Sequence, residues 1–195
     1  METRQFLDFL GKIEKLKSNT RHSYTADGVH EVVAAHTWRI ATMAMLLDQE
    51  FPELDMNKVI RMCLIHDWGE AVTGDIPSFD KTAEHEEVEK QAVDGLLRML
   101  PEGAYAELSA LFAEMEELKT KEARFYKALD KLEAVISHNE SDISTWIPLE
   151  YELQMVAATE EVKGFPFLEE LRTLMKEDTK EKIAGSKVSS SEGSL

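Results

Sequence analysis

Leu64-Ile65-His66-Asp67-Trp68-Gly69-Glu70-Ala71 sets a histidine beside an aspartate inside an apolar, helix-forming run, with a glutamate one turn later. The run belongs to a segment that reads as one helix, from Asp55 as N-cap to about Val72. Burying His, Asp and Glu together costs several kcal/mol unless a partner compensates them, and a bound cation compensates all three. On a continuous helix His66 and Asp67 stand about 100° apart around the axis. Glu70, three and four residues on, projects into the same sector. Gly69 removes a side chain there and lets a second helix or a ligand come close. The competing reading is an ordinary polar dipeptide on a partly exposed helix.

Outward from this run, apolar residues recur at three- and four-residue steps almost everywhere. They predict helices over 3–17, 31–50, 55–72, 82–100, 103–118, 121–139, 149–159 and 166–182. Residues 18–31 read as a polar loop, Gly74-Asp75-Ile76-Pro77 as a break and 140–150 as irregular. No stretch alternates convincingly enough for a strand. The expected architecture is an all-α bundle of one domain, residues 1–184, with a disordered tail over 185–195.

Composition excludes several classes of function. A net charge of −16 argues against a nucleic-acid surface. No stretch approaches the roughly 18 apolar residues of a membrane span, and no signal-peptide core follows the N-terminus. The single cysteine, Cys63, rules out an internal disulfide and fits a reducing, cytoplasmic compartment. It reads as a small core residue. Acidic runs such as Glu84-His85-Glu86-Glu87 read as solvated faces, and His85 and His138 as surface residues. No Gly-rich phosphate cradle, cysteine pair or nucleophilic serine motif is present.

Two further residues join His66 and Asp67. His36 has Val32, Val33 and Ile40 one turn away and faces inward; its alternative is a satisfied core histidine. Asp130 shares a helix face with Tyr126 and Ala134; its alternative is a salt bridge to Lys127 or Lys131. Together they make two imidazoles and two carboxylates on apolar helix faces, a set suited to a transition-metal ion with open positions for water and substrate. A phosphate dianion at such a site needs a further positive group.

In order and approximate spacing, His36, His66-Asp67 and Asp130 resemble the metal-binding signature of the HD-domain phosphohydrolases, an all-helical superfamily. The likeness runs from about residue 5 to about 180. Arg21, His36-Thr37-Trp38-Arg39, His66-Asp67-Trp68-Gly69-Glu70 and Gly74-Asp75-Ile76 are similar to the nucleoside 5′-monophosphate phosphatases of that superfamily, the YfbR-like deoxynucleotidases and their eukaryotic HD-domain-containing relatives. The resemblance implies that His36, His66, Asp67 and Asp130 ligate one divalent ion (Mn, Co, Fe, Zn or Mg). It implies that Arg21 holds the substrate phosphate and that Glu70 positions or deprotonates the attacking water. Asp75 would sit near the sugar and the leaving 5′-oxygen. The implied activity is removal of phosphate from nucleoside, especially deoxynucleoside, 5′-monophosphates.

One departure stands out: the relatives place an aromatic residue, usually Trp, beside the loop arginine. Here His22 follows Arg21, and Tyr24 is the nearest aromatic, which leaves the choice between ribose and deoxyribose open. The alternatives are an HD hydrolase of a triphosphate or of a cyclic or signalling nucleotide, or a non-catalytic HD-fold interaction module that holds a metal. Glu70-Ala71, where the (p)ppGpp hydrolases carry Glu-Asp, counts against that branch. The resembling family often forms homodimers. Val93, Leu96, Leu97, Phe125 and Tyr126, more apolar than a lone bundle needs, point the same way.

Overall fold

The computed structural model describes residues 1–192, with side chains through residue 186. The all-α expectation holds. In chain order the elements are α1 (Thr3–Ile13), a 3₁₀ turn (Glu14–Lys17), β1 (Thr20–Tyr24), β2 (His30–Val32), α2 (Val33–Leu46), α3 (Met56–Ile65), α4 (Glu70–Thr73), α5 (Ala83–Leu97), α6 (Glu102–Glu117), α7 (Lys121–Glu140), a second 3₁₀ turn (Ile143–Thr145), α8 (Glu150–Val156) and α9 (Pro166–Glu192). Among the described residues no helix is long and apolar enough to cross a membrane.

Three expectations change. Residues 18–31 are not an unstructured loop: they fold into the two-stranded sheet β1-β2. The strands are joined through Ala26-Asp27-Gly28, where Gly28 takes φ 76° and the Thr25 amide donates to the Val29 carbonyl at 2.8 Å. The helix expected over 55–72 breaks in two, between Ile65 and Glu70. The last helix runs past 182 to Glu192, because Lys180-Glu181-Lys182-Ile183-Ala184 are helix formers with no breaker among them. The expected tail, 185–195, thus overlaps α9 in part, and its last three residues lie outside the described residues.

The chain divides into two compact units. One comprises Met1–His22 and Glu31–Tyr126, the other Ser23–His30 and the chain from Lys127 onward. In the first unit α2 packs along α3, burying Val33, Ile40, Ala44, Val59, Met62 and Cys63 completely. A second cluster gathers Phe9, Leu96, Leu97 and Leu100, with Trp68, Val93 and Phe112 packed against it. Phe9 meets Trp68 edge to face at 5.2 Å, and Phe51 meets Phe125 at 4.7 Å. The apolar side chains that looked surplus are therefore core: Leu96, Leu97, Phe125 and Tyr126 are buried, and Val93 packs against the cluster that holds Leu96 and Leu97. Two helix starts follow their sequence signals. The Asp55 carboxylate accepts from the Lys58 amide at 3.1 Å. Thr82 and His85 form a reciprocal capping box, so His85 has a structural task at the start of α5.

In the second unit α8 packs on α9. Arg172, 4% exposed, donates from Nε to the Ala157 carbonyl at 2.6 Å and from Nη2 to the Gln154 carbonyl at 2.8 Å. It thereby closes the C-terminal end of α8, where carbonyls lack helical partners. His138 is not a surface residue. Its Nδ1 lies 2.8 Å from the Ala134 carbonyl and its Nε2 2.7 Å from Glu150, whose other oxygen accepts from the Ile147 amide.

Candidate active site

The site is built where α3 stops. The His66 amide still donates to the Met62 carbonyl at 3.1 Å, four residues back. Trp68, Glu70 and Ala71 then donate three residues back, to Ile65, Asp67 and Trp68, at 2.9–3.1 Å. This tightening replaces the straight helix on which the sequence reading placed His66, Asp67 and Glu70. Gly69 makes the tight turn compatible with its neighbour. A Cβ there would lie 2.7 Å from Glu89 Cγ, 3.1 Å from Val93 Cγ2 and 3.2 Å from the Glu89 carbonyl oxygen. The space the glycine leaves is filled by α5.

His36 on α2 meets His66 and Asp67 at this turn. Each of the three offers a ligand atom, and all of these lie within 4.8 Å of one another. Asp67 Oδ2 is 3.1 Å from His66 Nε2 and 4.0 Å from His36 Nε2, and the two rings stand 5.4 Å apart. His66 Nδ1 faces the Cys63 carbonyl at 2.8 Å. A carbonyl only accepts, so Nδ1 carries a proton, and Nε2 is left to face the Asp67 carboxylate oxygen. A proton or a bound cation between Nε2 and this oxygen satisfies both atoms. With His36 only 1% exposed, the donor set fits a divalent metal ion held by imidazole and carboxylate.

The surrounding carboxylates are unusual. Glu70 is 6% exposed, and its Oε2 has no hydrogen-bond partner among the described residues. Burial first, then the charges of Asp67, Asp75 and Glu89, push its pKa up to about 10 against the opposing pull of Arg21. Asp75 follows Gly74, which takes φ 77° where the chain leaves α4. Burial, and after it the charge of Asp67, raises Asp75 above the usual carboxylate range, although Arg21, His36 and Lys81 pull it down. Arg21 on β1 donates from Nη1 to Glu31 Oε2 at 2.7 Å. Glu31 is buried, and its carboxylate lies within 4.8 Å of a His36 ring nitrogen. His22, in the place beside Arg21 where the relatives carry an aromatic, packs edge-on against Phe79 at 5.5 Å.

The structure thus brings Arg21, His36, His66, Asp67, Glu70 and Asp75 into the first unit. Asp130 lies on α7 in the second unit, buried, and accepts from Lys127 Nζ at 2.8 Å, the ion pair that the sequence offered as its alternative. Three site residues escaped sequence reasoning: Glu31, Lys81 and Glu89. Glu31 becomes visible only once 18–31 is recognised as a hairpin. Lys81 forms an ion pair with Glu89 across the start of α5. Burial pulls the Lys81 ammonium toward the neutral form. The hydrogen bond and charge of Glu89, with Glu70 and Asp67 adding, outweigh it and raise the pKa.

Comparison with known proteins agrees with this geometry. The family model for the HD domain matches residues 13–171, through both units. The chain is 34% identical over 141 residues to 5′-deoxynucleotidase HDDC2 of Dictyostelium discoideum, covering 67% of this chain and 74% of that protein. It is 32% identical over 141 residues to 5′-deoxynucleotidase HDDC2 of Homo sapiens, covering 70% of this chain and 68% of that protein. A crystal structure from Magnetospirillum magnetotacticum MS-1, described as a predicted metal-dependent phosphohydrolase, is similar with a TM-score of 0.80 and 31% identity, covering 92% of this chain and 95% of that one. With two imidazoles and a carboxylate converging where the family carries its histidine-aspartate pair, the chain belongs to the HD domain family.

Proposed function

We propose that the protein is a metal-dependent phosphohydrolase that removes phosphate from nucleoside 5′-monophosphates, deoxynucleotides in particular. The observation that carries this reading is the convergence of His36, His66 and Asp67 beside a buried glutamate whose Oε2 has no hydrogen-bond partner among the described residues. Relatives named 5′-deoxynucleotidases support the substrate class.

In this reading His36, His66, Asp67 and Asp130 hold one divalent ion. Bound there, the ion supplies Lewis acidity toward the phosphate and a water of lowered pKa. The protein's own groups do the rest. The Cys63 carbonyl keeps the His66 proton on Nδ1 and so keeps Nε2 a donor of electrons. Arg21 leaves part of its pairing with Glu31 to grip the phosphate through its forked guanidinium. Burial keeps the Glu70 carboxyl protonated in the metal-free protein; a cation bound beside it would favour the carboxylate, which then takes a proton from the attacking water as a stronger base than a solvated one. Water oxygen bonds to phosphorus, the bond to the 5′-oxygen breaks, and Asp75, itself inclined to hold a proton, delivers one to that oxygen. The products are a nucleoside and orthophosphate. The reading extends to a cytoplasmic homodimer: the sole cysteine suits a reducing compartment, and Trp38, Met45 and Leu46 form an exposed apolar stripe on α2.

The test is metal analysis of the purified protein together with phosphate release from a panel of nucleoside mono-, tri- and cyclic phosphates, for wild type and Glu70→Ala. Release from monophosphates is expected, fastest with the deoxy forms, and reduced about 100-fold or more in the variant. A metal-loaded wild type that releases nothing from any phosphoester would leave a non-catalytic module standing instead.

A further inference from the structure

The proposed reaction brings a phosphate dianion to a site already ringed by Asp67, Glu70 and Asp75. Arg21, the cation expected to receive it, is engaged by the buried carboxylate of Glu31 at 2.7 Å. A second positive group at this place would change the balance, and the first unit contains one that no sequence motif announced. Resting on the hydrolase reading above, we propose that Lys81 is a second phosphate-binding cation of the site, held ready by Glu89.

The argument starts from Gly69. It occupies the turn between Asp67 and Glu70, and the absence of its Cβ admits the Glu89 side chain, whose Cγ would otherwise be 2.7 Å away. Glu89 is thereby seated against the same turn that presents Asp67. Its carboxylate pairs with Lys81, and both side chains are largely withdrawn from solvent, 29% exposed for the lysine and 19% for the glutamate. Gly69, Glu89 and Lys81 therefore form one chain of placement: the glycine makes room, the glutamate fills it, and the lysine is drawn to the glutamate.

An ammonium that needed only a salt bridge could find one in water at no desolvation cost. This one is drawn inward, where it feels Glu70 and Asp67 as well as Glu89, and it also acts on Asp75. Its four-carbon stem leaves the head free to pivot from one anionic oxygen to another, whereas the Arg21 fork is fixed in direction. The two cations thus differ in kind, a planar clamp and a movable point charge. Both are already paired with a carboxylate, so the site is not left with bare positive charge before substrate arrives.

The test uses the metal-loaded full chain and two probes, inorganic phosphate as a ligand and as a competitive inhibitor, and a deoxynucleoside 5′-monophosphate as substrate. The variants are Lys81→Met, Lys81→Arg and Glu89→Gln. One charge-assisted contact to phosphate corresponds to about 10- to 100-fold in affinity. Lys81→Met is expected to raise the phosphate Kd, the phosphate Ki and KM together by about tenfold or more, with kcat reduced less and metal content and Tm retained. Lys81→Arg should recover most of the affinity, and Glu89→Gln should weaken phosphate binding less than Lys81→Met. Unchanged phosphate affinity in Lys81→Met would overturn the inference, as would a loss confined to kcat or a loss that tracks a fall in Tm or metal content in every variant. Wild type that binds phosphate and turns over monophosphates while Lys81→Met matches it sinks only the role of Lys81. Wild type that binds phosphate through Lys81 yet hydrolyses no phosphoester sinks the hydrolase reading instead.

Discussion

Replacing Gly69 by alanine tests how closely α5 is fitted to the turn that carries Asp67. Two opposing effects can be weighed. The backbone at Gly69 is right-handed helical, φ −55° and ψ −35°, so alanine adopts it without strain. Loss of glycine's unfolded-state freedom alone would stabilise by about 0.5–1 kcal/mol. Against this, the new Cβ would lie 2.7 Å from Glu89 Cγ, 3.1 Å from Val93 Cγ2 and 3.2 Å from the Glu89 backbone oxygen. The side chain of Glu89 could swing aside only by leaving Lys81, and the backbone oxygen moves only with α5. Overpacking of this kind costs about 1–3 kcal/mol. The clash wins, and Gly69→Ala should destabilise by about 1–2 kcal/mol, a fall in Tm of roughly 2–8 °C. Gly95 supplies the control. It lies inside α5, exposed, with nothing within 4 Å of the position its Cβ would take. Gly95→Ala should therefore stabilise by about 0.5–1 kcal/mol. Urea unfolding of both metal-free variants, followed by far-ultraviolet circular dichroism, measures the two signs. A Gly69→Ala protein as stable as wild type would refute the close fit.

Three further predictions follow from groups described above. In the metal-free protein Glu70 has a folded pKa of about 10 against an ordinary 4.5. The folded state then holds a proton that the unfolded state releases, so stability should fall as pH rises between those values, by up to about 1.4 kcal/mol per unit. Denaturation at pH 6 and pH 8 should show this slope in wild type and a flatter one in Glu70→Gln; an equal slope in both refutes it. Arg172→Met keeps an apolar stem but strands the Gln154 and Ala157 carbonyls, at a cost of about 2–4 kcal/mol. Its urea midpoint should drop, with hydrogen exchange quickening in α8 ahead of α3; uniform quickening would argue against a local clamp. Asp130→Ala should lower metal content by elemental analysis and cut the stabilisation that added metal confers. Unchanged metal content would leave Asp130 as no more than the partner of Lys127.

Local signals in the sequence account for much of this structure. Asp55 and Thr82 start their helices as capping residues do, and Gly74 and Pro101 interrupt where the pattern breaks. The β1-β2 hairpin was illegible because Thr20-Arg21-His22-Ser23-Tyr24 shows no apolar alternation; a glycine turn and backbone pairing hold it instead. The break after Ile65 was hidden because Trp68 and Ala71 continue the helical period through residues that turn more tightly. In the site, His66-Asp67 stood out because polar groups adjacent in sequence interrupt an apolar run. Glu31 and Lys81 did not, since each owes its place to a partner that folding supplies, Arg21 for the one and Glu89 for the other. His138 read as a surface residue beside the polar Asn139 for the same reason: Glu150 reaches it only in the folded chain.

Cys63 gives the protein a built-in clock. It is the chain's only thiol, fully enclosed, and sits in the last turn of α3 just before His66, with its own carbonyl fixing that imidazole. A thiol reagent reaches it only when α3 loosens, and loosening α3 dismantles the pair of ligands that follow. The rate at which the sulfur becomes labelled therefore counts openings of the metal cradle itself, and a tightly held ion should slow that count in proportion to its affinity.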